Sequence, residues 1–226
     1  MRRLGAFSTL LTVLVVCFLA TIGNVEAIQR LFFDFGGQYI KCFAHFNHEQ
    51  QEIVVNGESQ RMTLSSVCVR GNLPFFASAY QGCSSQSPQL AIPFVTRLLG
   101  KPFDDPYVKQ YMQNFPTVPL IPHPKRATVA VQTKDLGVIS IEEAFAMILE
   151  YFRRSAFNRE KELNPSIHGE QRIGLCMATV PSFYSLAERQ ALVDAGKLVG
   201  FTIAGFVVDL EAVSLSCIRH LGESKT

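Results

Sequence analysis

The chain of 226 residues carries a formal net charge of +2 at neutral pH, and 48% of its residues are hydrophobic. A chain of this length and composition can bury a core in one large domain or two small ones. The near balance of charge excludes the strongly basic surface that attracts nucleic acids and anionic membranes, so we expect neither as a partner.

The first 27 residues have the pattern of a secretory signal peptide. Arg2 and Arg3 precede an apolar run over residues 10–22, and Val25-Glu26-Ala27 places branched or small residues at the two positions that signal peptidase reads. The pattern predicts cleavage after Ala27. An uncleaved membrane anchor is the alternative, because the apolar stretch almost reaches spanning length. No later run approaches that length, so we expect no membrane contact after cleavage.

The first half of the remaining chain predicts two hairpins followed by short helices. Strands at 31–35 and 38–46 flank the turn Gly36-Gly37, and strands at 53–55 and 62–69 flank Asn56-Gly57, a strong hairpin signal. The stretch up to Pro88 is polar and receives no element. Further predicted elements are a helical run to 100, a helix at 105–114, an extended loop with four prolines at 115–124, and a strand at 127–133.

The second half predicts alternating helices and strands. Ser140 and Glu143 form the S-x-x-E pattern of a capping box, and Phe145, Ile148 and Phe152 follow at helical spacing. A strand at 173–180, a helix at 186–199, a strand at 201–208 and a helix at 211–221 complete the chain. Hairpins followed by strand–helix–strand–helix predict a mixed α/β domain.

The cysteines do not form a dense disulfide framework. The chain has six, and the five beyond the predicted leader are Cys42, Cys68, Cys83, Cys176 and Cys217. Their number is odd, their spacing is wide, and no C-x-x-C pattern occurs. We expect most of them to be small buried hydrophobic side chains. One pair could be bridged in an oxidising compartment, and the spacing does not identify which pair.

Cys42, His45 and His48 have a spacing that suggests metal ligands. On a strand, Cys42 and His48 share one face while His45 lies on the other. A structural zinc site also needs four ligands. We therefore predict no metal site here.

The glycine turn after the first strand has a possible chemical use. A tight glycine turn between strands points backbone N–H groups at one spot and lets a phosphate group approach them. Asp34, just before the turn, could hold a magnesium-bound water. The alternative is that Gly36-Gly37 serves only as a hairpin turn.

Four segments carry a resemblance when taken together in order and spacing. They are Phe33-Asp34-Phe35-Gly36-Gly37-Gln38-Tyr39, Val55-Asn56-Gly57-Glu58-Ser59-Gln60-Arg61-Met62-Thr63, Arg97-Leu98-Leu99-Gly100-Lys101-Pro102-Phe103-Asp104-Asp105-Pro106, and Thr179-Val180-Pro181-Ser182-Phe183-Tyr184 with the helix that follows it. These segments resemble the heat-shock-70 chaperone family, and more closely its large endoplasmic-reticulum branch.

The resemblance implies an actin-like ATPase fold, in which two lobes close over ATP and Mg²⁺. Residues 28–226 would supply the first lobe of the nucleotide-binding domain, and the chain stops where the family reaches its second phosphate loop. The phosphate-binding turn is then formed by Asp34, Gly36, Gly37, Gln38 and Tyr39. The resemblance also places the protein in the lumen of the endoplasmic reticulum.

Two further positions match residues that relay the nucleotide state between domains in the family. These are Pro181 and Arg189. The alternative is a local role, with Pro181 ending a strand and Arg189 lying on a helix surface. We favour the local role.

The departures from the family pattern affect the residues of hydrolysis. Gly37 and Gln38 stand where the family has hydroxyl side chains, and Thr96 stands where its ATPases usually have a lysine. The neighbouring Arg97 should point a different way. Leu210 stands where the family has an acid. We therefore assign no catalytic residue and expect ATP or ADP with Mg²⁺ to bind weakly or not at all.

Three functions follow from these observations. The chain could be a degenerate chaperone lobe that associates with other chaperones or with unfolded client proteins. It could be a residual ATP-binding subunit or ATPase completed by another chain, or an inactive gene fragment. The last predicted helix carries Val213, Leu215 and Ile218, an apolar surface that favours self-association or capture by another chaperone.

Overall fold

The computed structural model describes residues 30–46, 51–165 and 175–223. The predicted signal peptide and His48 lie outside these ranges. None of the helices in the described part of the chain is long and apolar enough to cross a membrane.

Twelve strands and five α-helices make up the described residues. The strands are β1 Arg30–Phe35, β2 Tyr39–His45, β3 Gln51–Val54, β4 Thr63–Leu64, β5 Val67–Arg70, β6 Leu73–Phe75, β7 Ala91–Ile92, β8 Leu120–Pro122, β9 Val129–Gln132, β10 Val138–Ser140, β11 Leu175–Val180 and β12 Thr202–Val208. The helices are α1 Ala77–Gln86, α2 Pro106–Asn114, α3 Ile141–Leu163, α4 Leu186–Leu198 and α5 Asp209–Glu223.

The central sheet has the order β12-β11-β1-β2-β3, with β4 also pairing with β2. The pairs β1–β2 and β2–β3 are antiparallel, whereas β1–β11 and β11–β12 are parallel. Two three-stranded sheets, β10-β9-β8 and β6-β5-β7, lie apart from it. The predicted mixed α/β architecture is thus confirmed.

The core lies between one face of the central sheet and α3. Side chains alternate along β1, so that Leu31, Phe33 and Phe35 are buried on the same face. Phe33 packs edge-on against Phe152 of α3, with ring centroids 5.7 Å apart. Helix α3 is long enough to cover the sheet, and its apolar residues recur at helical spacing.

The predicted capping box at the start of α3 is present. The Glu143 backbone N–H donates to the Ser140 hydroxyl oxygen at 3.1 Å, and the Ser140 backbone N–H donates to Glu143 Oε2 at 2.7 Å. Helix α4 begins with the same arrangement between Ser185 and Glu188. Each box satisfies backbone donors that a helix start leaves without an intrahelical acceptor.

The predicted hairpin at Asn56-Gly57 is wrong in its pairing. Strands β3 and β4 do not pair with each other, since both pair with β2 at different points along its length. The Asn56 side chain instead accepts hydrogen bonds from the backbone of Glu58 and Gln60 and shapes a local loop. The predicted strand 62–69 is divided between β4 and β5, which belong to different sheets.

The predicted helical run from 88 to 100 is also wrong. It contains two 3₁₀ turns, Pro88–Leu90 and Val95–Arg97, on either side of β7. Pro93 lacks a backbone N–H, and Phe94 has a left-handed backbone with φ of 51°, so an α-helix cannot continue through this point. The predicted proline-rich loop contains β8, an edge strand, which is where a sheet tolerates proline.

Helix α1 and strand β6 occupy the polar stretch that received no element. A disulfide between Cys68 and Cys83 joins β5 to α1. The hydrophobic pattern of α1 is weak, since only Ala77 and Cys83 are buried, so no apolar stripe marks this helix in the sequence.

Gly100 is the point where the segment after Phe94 meets α4. Its φ is +65°, and a Cβ atom added there would lie 2.6 Å from the Ala187 carbonyl oxygen. Beside this contact, Lys101 Nζ lies 3.0 Å from Glu188 Oε1 in a largely buried ion pair. Only glycine permits this approach, because both the backbone conformation and the available space exclude a side chain.

Replacing Gly100 with alanine should therefore destabilise the protein by more than the strain of a left-handed backbone, because the added Cβ would also clash with the Ala187 carbonyl. Gly71→Ala is the matched control, since Gly71 has φ of +58° and a Cβ there would meet nothing within 4 Å. We expect Gly71→Ala to lower the free energy of unfolding by about 1–2 kcal/mol, and Gly100→Ala to lower it clearly further. Denaturant titration measures both, and equal losses would contradict the importance of the Ala187 contact.

Candidate functional site

The β1–β2 hairpin brings the predicted turn residues together. Gly36 begins the turn, and a Cβ atom on it would lie 2.6 Å from the Tyr39 carbonyl oxygen, so a larger residue does not fit. Gly37, Gln38 and Tyr39 are exposed at the tip. The five residues Asp34, Gly36, Gly37, Gln38 and Tyr39 thus form one continuous surface at the end of the hairpin, which we call the phosphate turn. Their binding of phosphate remains a prediction.

Asp34 lies on the open face of the sheet, opposite the face that packs on α3. Lys41 Nζ lies 2.8 Å from Asp34 Oδ2, and the Thr179 hydroxyl donates to Asp34 Oδ1 at 2.8 Å. The strand register sets Lys41 and Thr179 directly beside Asp34 on the two neighbouring strands. Both carboxylate oxygens of Asp34 therefore have partners from the chain itself.

Thr96 is buried behind the phosphate turn, with 2% of its surface exposed. Its hydroxyl donates to the Gly36 carbonyl oxygen at 3.0 Å and lies 3.2 Å from the Ser65 hydroxyl. The Ser65 backbone N–H donates to the Gln38 carbonyl at 2.9 Å. Thr96 and Ser65 thus hold the turn from the side that faces the protein interior.

Arg97 also reaches the phosphate turn, which we did not expect from its position next to Thr96. Its Nε donates to the Gly37 carbonyl oxygen at 2.8 Å, and its guanidinium lies 4.7 Å from the ring centroid of Phe94. Thr96 and Arg97 are consecutive residues of the 3₁₀ turn Val95–Arg97, and their side chains point about a third of a revolution apart. The two side chains therefore contact different residues of the phosphate turn, Gly36 and Gly37. No local sequence signal identifies this contact, because it joins residues 60 positions apart.

The two positions that match the family's relay residues connect to the same region through Tyr184. The Tyr184 N–H donates to the Pro181 carbonyl at 3.0 Å, and Arg189 Nε donates to the Tyr184 carbonyl at 3.3 Å. The Tyr184 hydroxyl donates to the Thr96 carbonyl at 2.9 Å. Burial, with smaller contributions from Glu188 and Tyr107, raises the pKa of Tyr184 well above its ordinary value, so the phenol stays a hydrogen-bond donor.

Glu188 fastens the start of α4 to the segment that carries Thr96. Burial acts to raise the pKa of Glu188, but hydrogen bonds from Ser185 and the ion pair with Lys101 lower it overall. The carboxylate therefore stays ionised in the folded protein. Its stabilising contribution is present above the ordinary glutamate pKa and is lost as the pH falls through the lowered value.

The family model described as Hsp70 protein matches residues 31–217 of this chain. The chain belongs to the Hsp70 family. The predicted actin-like ATPase fold, first lobe, is confirmed by this match together with the mixed α/β architecture.

Several curated relatives carry the name hypoxia up-regulated protein 1. The one from Danio rerio is 30% identical over 203 residues, which cover 90% of this chain and 20% of that protein. Those from Mus musculus and Homo sapiens are 32% and 31% identical over 183 residues, 81% of this chain and 17% of each relative. The chain thus spans about a fifth of the length of these relatives.

Leu210, which the resemblance matches to the family's acid, lies in the first turn of α5 and is 63% exposed. Its own N–H donates to Asp209 Oδ1 at 2.7 Å, so the neighbouring carboxylate caps the backbone of its own helix. An aliphatic side chain can neither bind a metal nor accept a proton. This position therefore offers nothing to phosphoryl transfer.

The residues present do not fit the Mg²⁺ that the Hsp70 family implies. Mg²⁺ is usually held by one or two carboxylates together with substrate phosphates. Here Asp34 is already paired with Lys41, and Leu210 stands where the resemblance predicts a second acid. Within residues 30–46, 51–165 and 175–223, no group of three His, Cys, Asp or Glu could hold a metal ion.

The Cys42–His45–His48 spacing produces no site in the described residues. Cys42 points into the core, where burial, with a smaller contribution from Cys176, raises the pKa of its thiol well above the ordinary value. His45 lies on the opposite face of β2 and approaches Gln51. The strand alternation predicted from the sequence therefore separates Cys42 from His45.

Proposed function

We propose that this chain is a chaperone lobe of the Hsp70 family that acts by associating with other proteins and does not hydrolyse ATP. The observation that supports this most is Thr96, which replaces the family's lysine. A lysine there would bring a charge to the attacking water, whereas the Thr96 hydroxyl is uncharged, buried and bonded to the Gly36 carbonyl. Phosphoryl transfer depends almost wholly on positioned charges, and this one is missing.

A residual ATP-binding subunit, completed by another chain, is the second candidate. Arg97 favours it, because its guanidinium brings a permanent positive charge to the phosphate turn. A charge held by the Gly37 carbonyl and by the face of Phe94 can attract a phosphate group. The Arg97 charge does not replace the lysine that orients the attacking water. This second candidate would therefore bind ATP without hydrolysing it.

The purified protein should therefore release no phosphate from ATP above background. Restoring the lysine alone, in Thr96→Lys, should not create turnover, because Leu210 still lacks a carboxylate. A phosphate-release assay measures both proteins. Turnover by the wild-type chain that disappears in Asp34→Ala would contradict the proposal.

The proposed partners are other chaperones or unfolded client proteins, and a second copy of the chain is a further possibility. Helix α5 supports this, since Leu210, Val213, Leu215 and Ile218 are all more than half exposed. We call these four residues the α5 apolar surface. Exposed apolar side chains grouped in this way on one helix favour an interaction site or an aggregation risk.

Association should therefore weaken when charge is placed on the α5 apolar surface. We expect the wild-type protein to self-associate or to retain a chaperone, and Val213→Glu with Ile218→Glu to remain monomeric. Leu73→Glu is the matched control, because Leu73 is similarly exposed, at 64%, but lies on β6. Size-exclusion chromatography with light scattering measures the mass of each. A wild-type monomer at every concentration, with no chaperone bound, would contradict the proposal.

We further propose that the protein enters the secretory pathway and resides in the lumen of the endoplasmic reticulum. The predicted leader supports entry, and the Cys68–Cys83 disulfide supports an oxidising compartment. In the described residues Cys42 and Cys176 are free and buried, and burial raises the pKa of Cys176 to about 12, so neither competes readily for this pairing.

Protein recovered from secretory cells should begin at Ile28 and contain a peptide linked through Cys68 and Cys83. The leader pattern predicts the first result and the short distance between the two elements predicts the second. N-terminal sequencing and non-reducing peptide mapping measure them. A chain that begins at Met1 and resists carbonate extraction would favour a membrane anchor, and free thiols at both positions would remove the support for an oxidising compartment.

A further inference from the structure

The ion pair between Lys41 and Asp34 lies at the base of the phosphate turn. Lys41 Nζ is 2.8 Å from Asp34 Oδ2, and the Thr179 hydroxyl occupies Oδ1. Asp34 and Lys41 are directly opposite each other in the β1–β2 ladder, so the hairpin that forms the turn also holds the two side chains together. About half of each side chain is exposed, and the pair faces the solvent from which a ligand would arrive.

We propose that the Lys41 ammonium takes the place of the divalent metal at this turn, so that a phosphate group binds here without Mg²⁺. This inference rests on the proposed function, in which the turn no longer supports hydrolysis. An ammonium has three N–H donors. One contacts Asp34, and the other two remain for phosphate oxygens on the open side of the sheet.

A divalent cation has little to gain at the same place. Asp34 supplies a single carboxylate whose charge Lys41 already balances, and Mg²⁺ would have to displace the ammonium and give up bound water. The second acidic position holds Leu210. Metal binding would therefore leave Lys41 without its partner, whereas a phosphate group can share Lys41 with Asp34.

Arg97 supplies a second positive charge to the same ligand. Its Nε is bonded to Gly37 at the tip of the turn, while Lys41 lies at the base. A ligand with two or three linked phosphates has separate anionic groups for the two cations, one at the tip of the turn and one at its base. The ligand class is a nucleoside diphosphate or triphosphate, and inorganic phosphate shares part of the same chemistry.

The experiment measures binding of ADP and, separately, of inorganic phosphate by ³¹P NMR, which detects weak ligands. Each titration is run once with EDTA and once with MgCl₂. We expect the affinity of the wild-type chain for ADP to change by less than about twofold between the two buffers. Lys41→Met should lose about tenfold in EDTA, because the ammonium donors are gone.

Lys197→Met is the matched control, since Lys197 also pairs with an aspartate, Asp194, but lies on α4 away from the turn. It should bind ADP as the wild type does. Electron paramagnetic resonance with Mn²⁺ should show no bound metal in the wild type without nucleotide. ADP binding that needs Lys41, with no binding of inorganic phosphate, supports the proposal and identifies a nucleotide as the source of the phosphate.

Several results would overturn the proposal. They are a wild-type chain that needs Mg²⁺ to bind ADP, one that binds ADP in neither buffer, one that binds Mn²⁺ alone, and a Lys41→Met variant with unchanged affinity. None of these depends on turnover. ATP hydrolysis by the wild type would overturn the proposed function, and the metal dependence of binding would still be decided by the titrations.

Discussion

The contact between Gly100 and the Ala187 carbonyl is the constraint on which the geometry of the phosphate turn depends. It lets the segment that ends at Gly100 lie directly against the first turn of α4. The Lys101–Glu188 ion pair and the Tyr184–Thr96 hydrogen bond flank the contact on its two sides. Because that segment is held in place, the Thr96 hydroxyl reaches the Gly36 carbonyl and Arg97 reaches the Gly37 carbonyl. Part of residues 97–106, one of the four segments that carry the family resemblance, thus has a packing role that is separate from any catalytic role.

Several acceptors of the phosphate turn have hydrogen-bond partners within the chain itself. The Thr96 hydroxyl, Arg97 Nε and the Ser65 backbone N–H donate hydrogen bonds to the carbonyl oxygens of Gly36, Gly37 and Gln38, respectively. Lys41 and Thr179 each donate to one carboxylate oxygen of Asp34. A nucleotide site that works with a metal needs open acceptors and unbalanced negative charge. Here these acceptors have internal partners, and the negative charge of Asp34 is paired with Lys41. These internal partners support the proposed loss of metal-dependent chemistry at this hairpin.

The two faces of the central sheet have different environments. One face packs on α3 through Phe33 and Phe35, and the rings there form a buried aromatic cluster. On the other face Phe32 and Phe43 contact each other edge-on at 6.0 Å and remain partly exposed, next to Asp34 and Lys41. The α5 apolar surface adds further exposed apolar area. Burial of apolar surface is thus concentrated on the α3 side, and the proposed ligand site lies on the more exposed face.

The sequence by itself determined the features that depend on residues close together in the chain. The capping box of α3, the alternation along β1, the separation of Cys42 from His45 and the family resemblance all follow from short-range patterns. Asn56-Gly57 shows the limit, since the dipeptide correctly indicated a turn but not the strand that pairs with each arm. Only the tertiary structure decided that β2 accepts both β3 and β4, that Cys68 pairs with Cys83, and that Arg97 bonds to Gly37. The physical reason is that these choices depend on which distant groups meet once the core has packed, and no local propensity encodes that meeting.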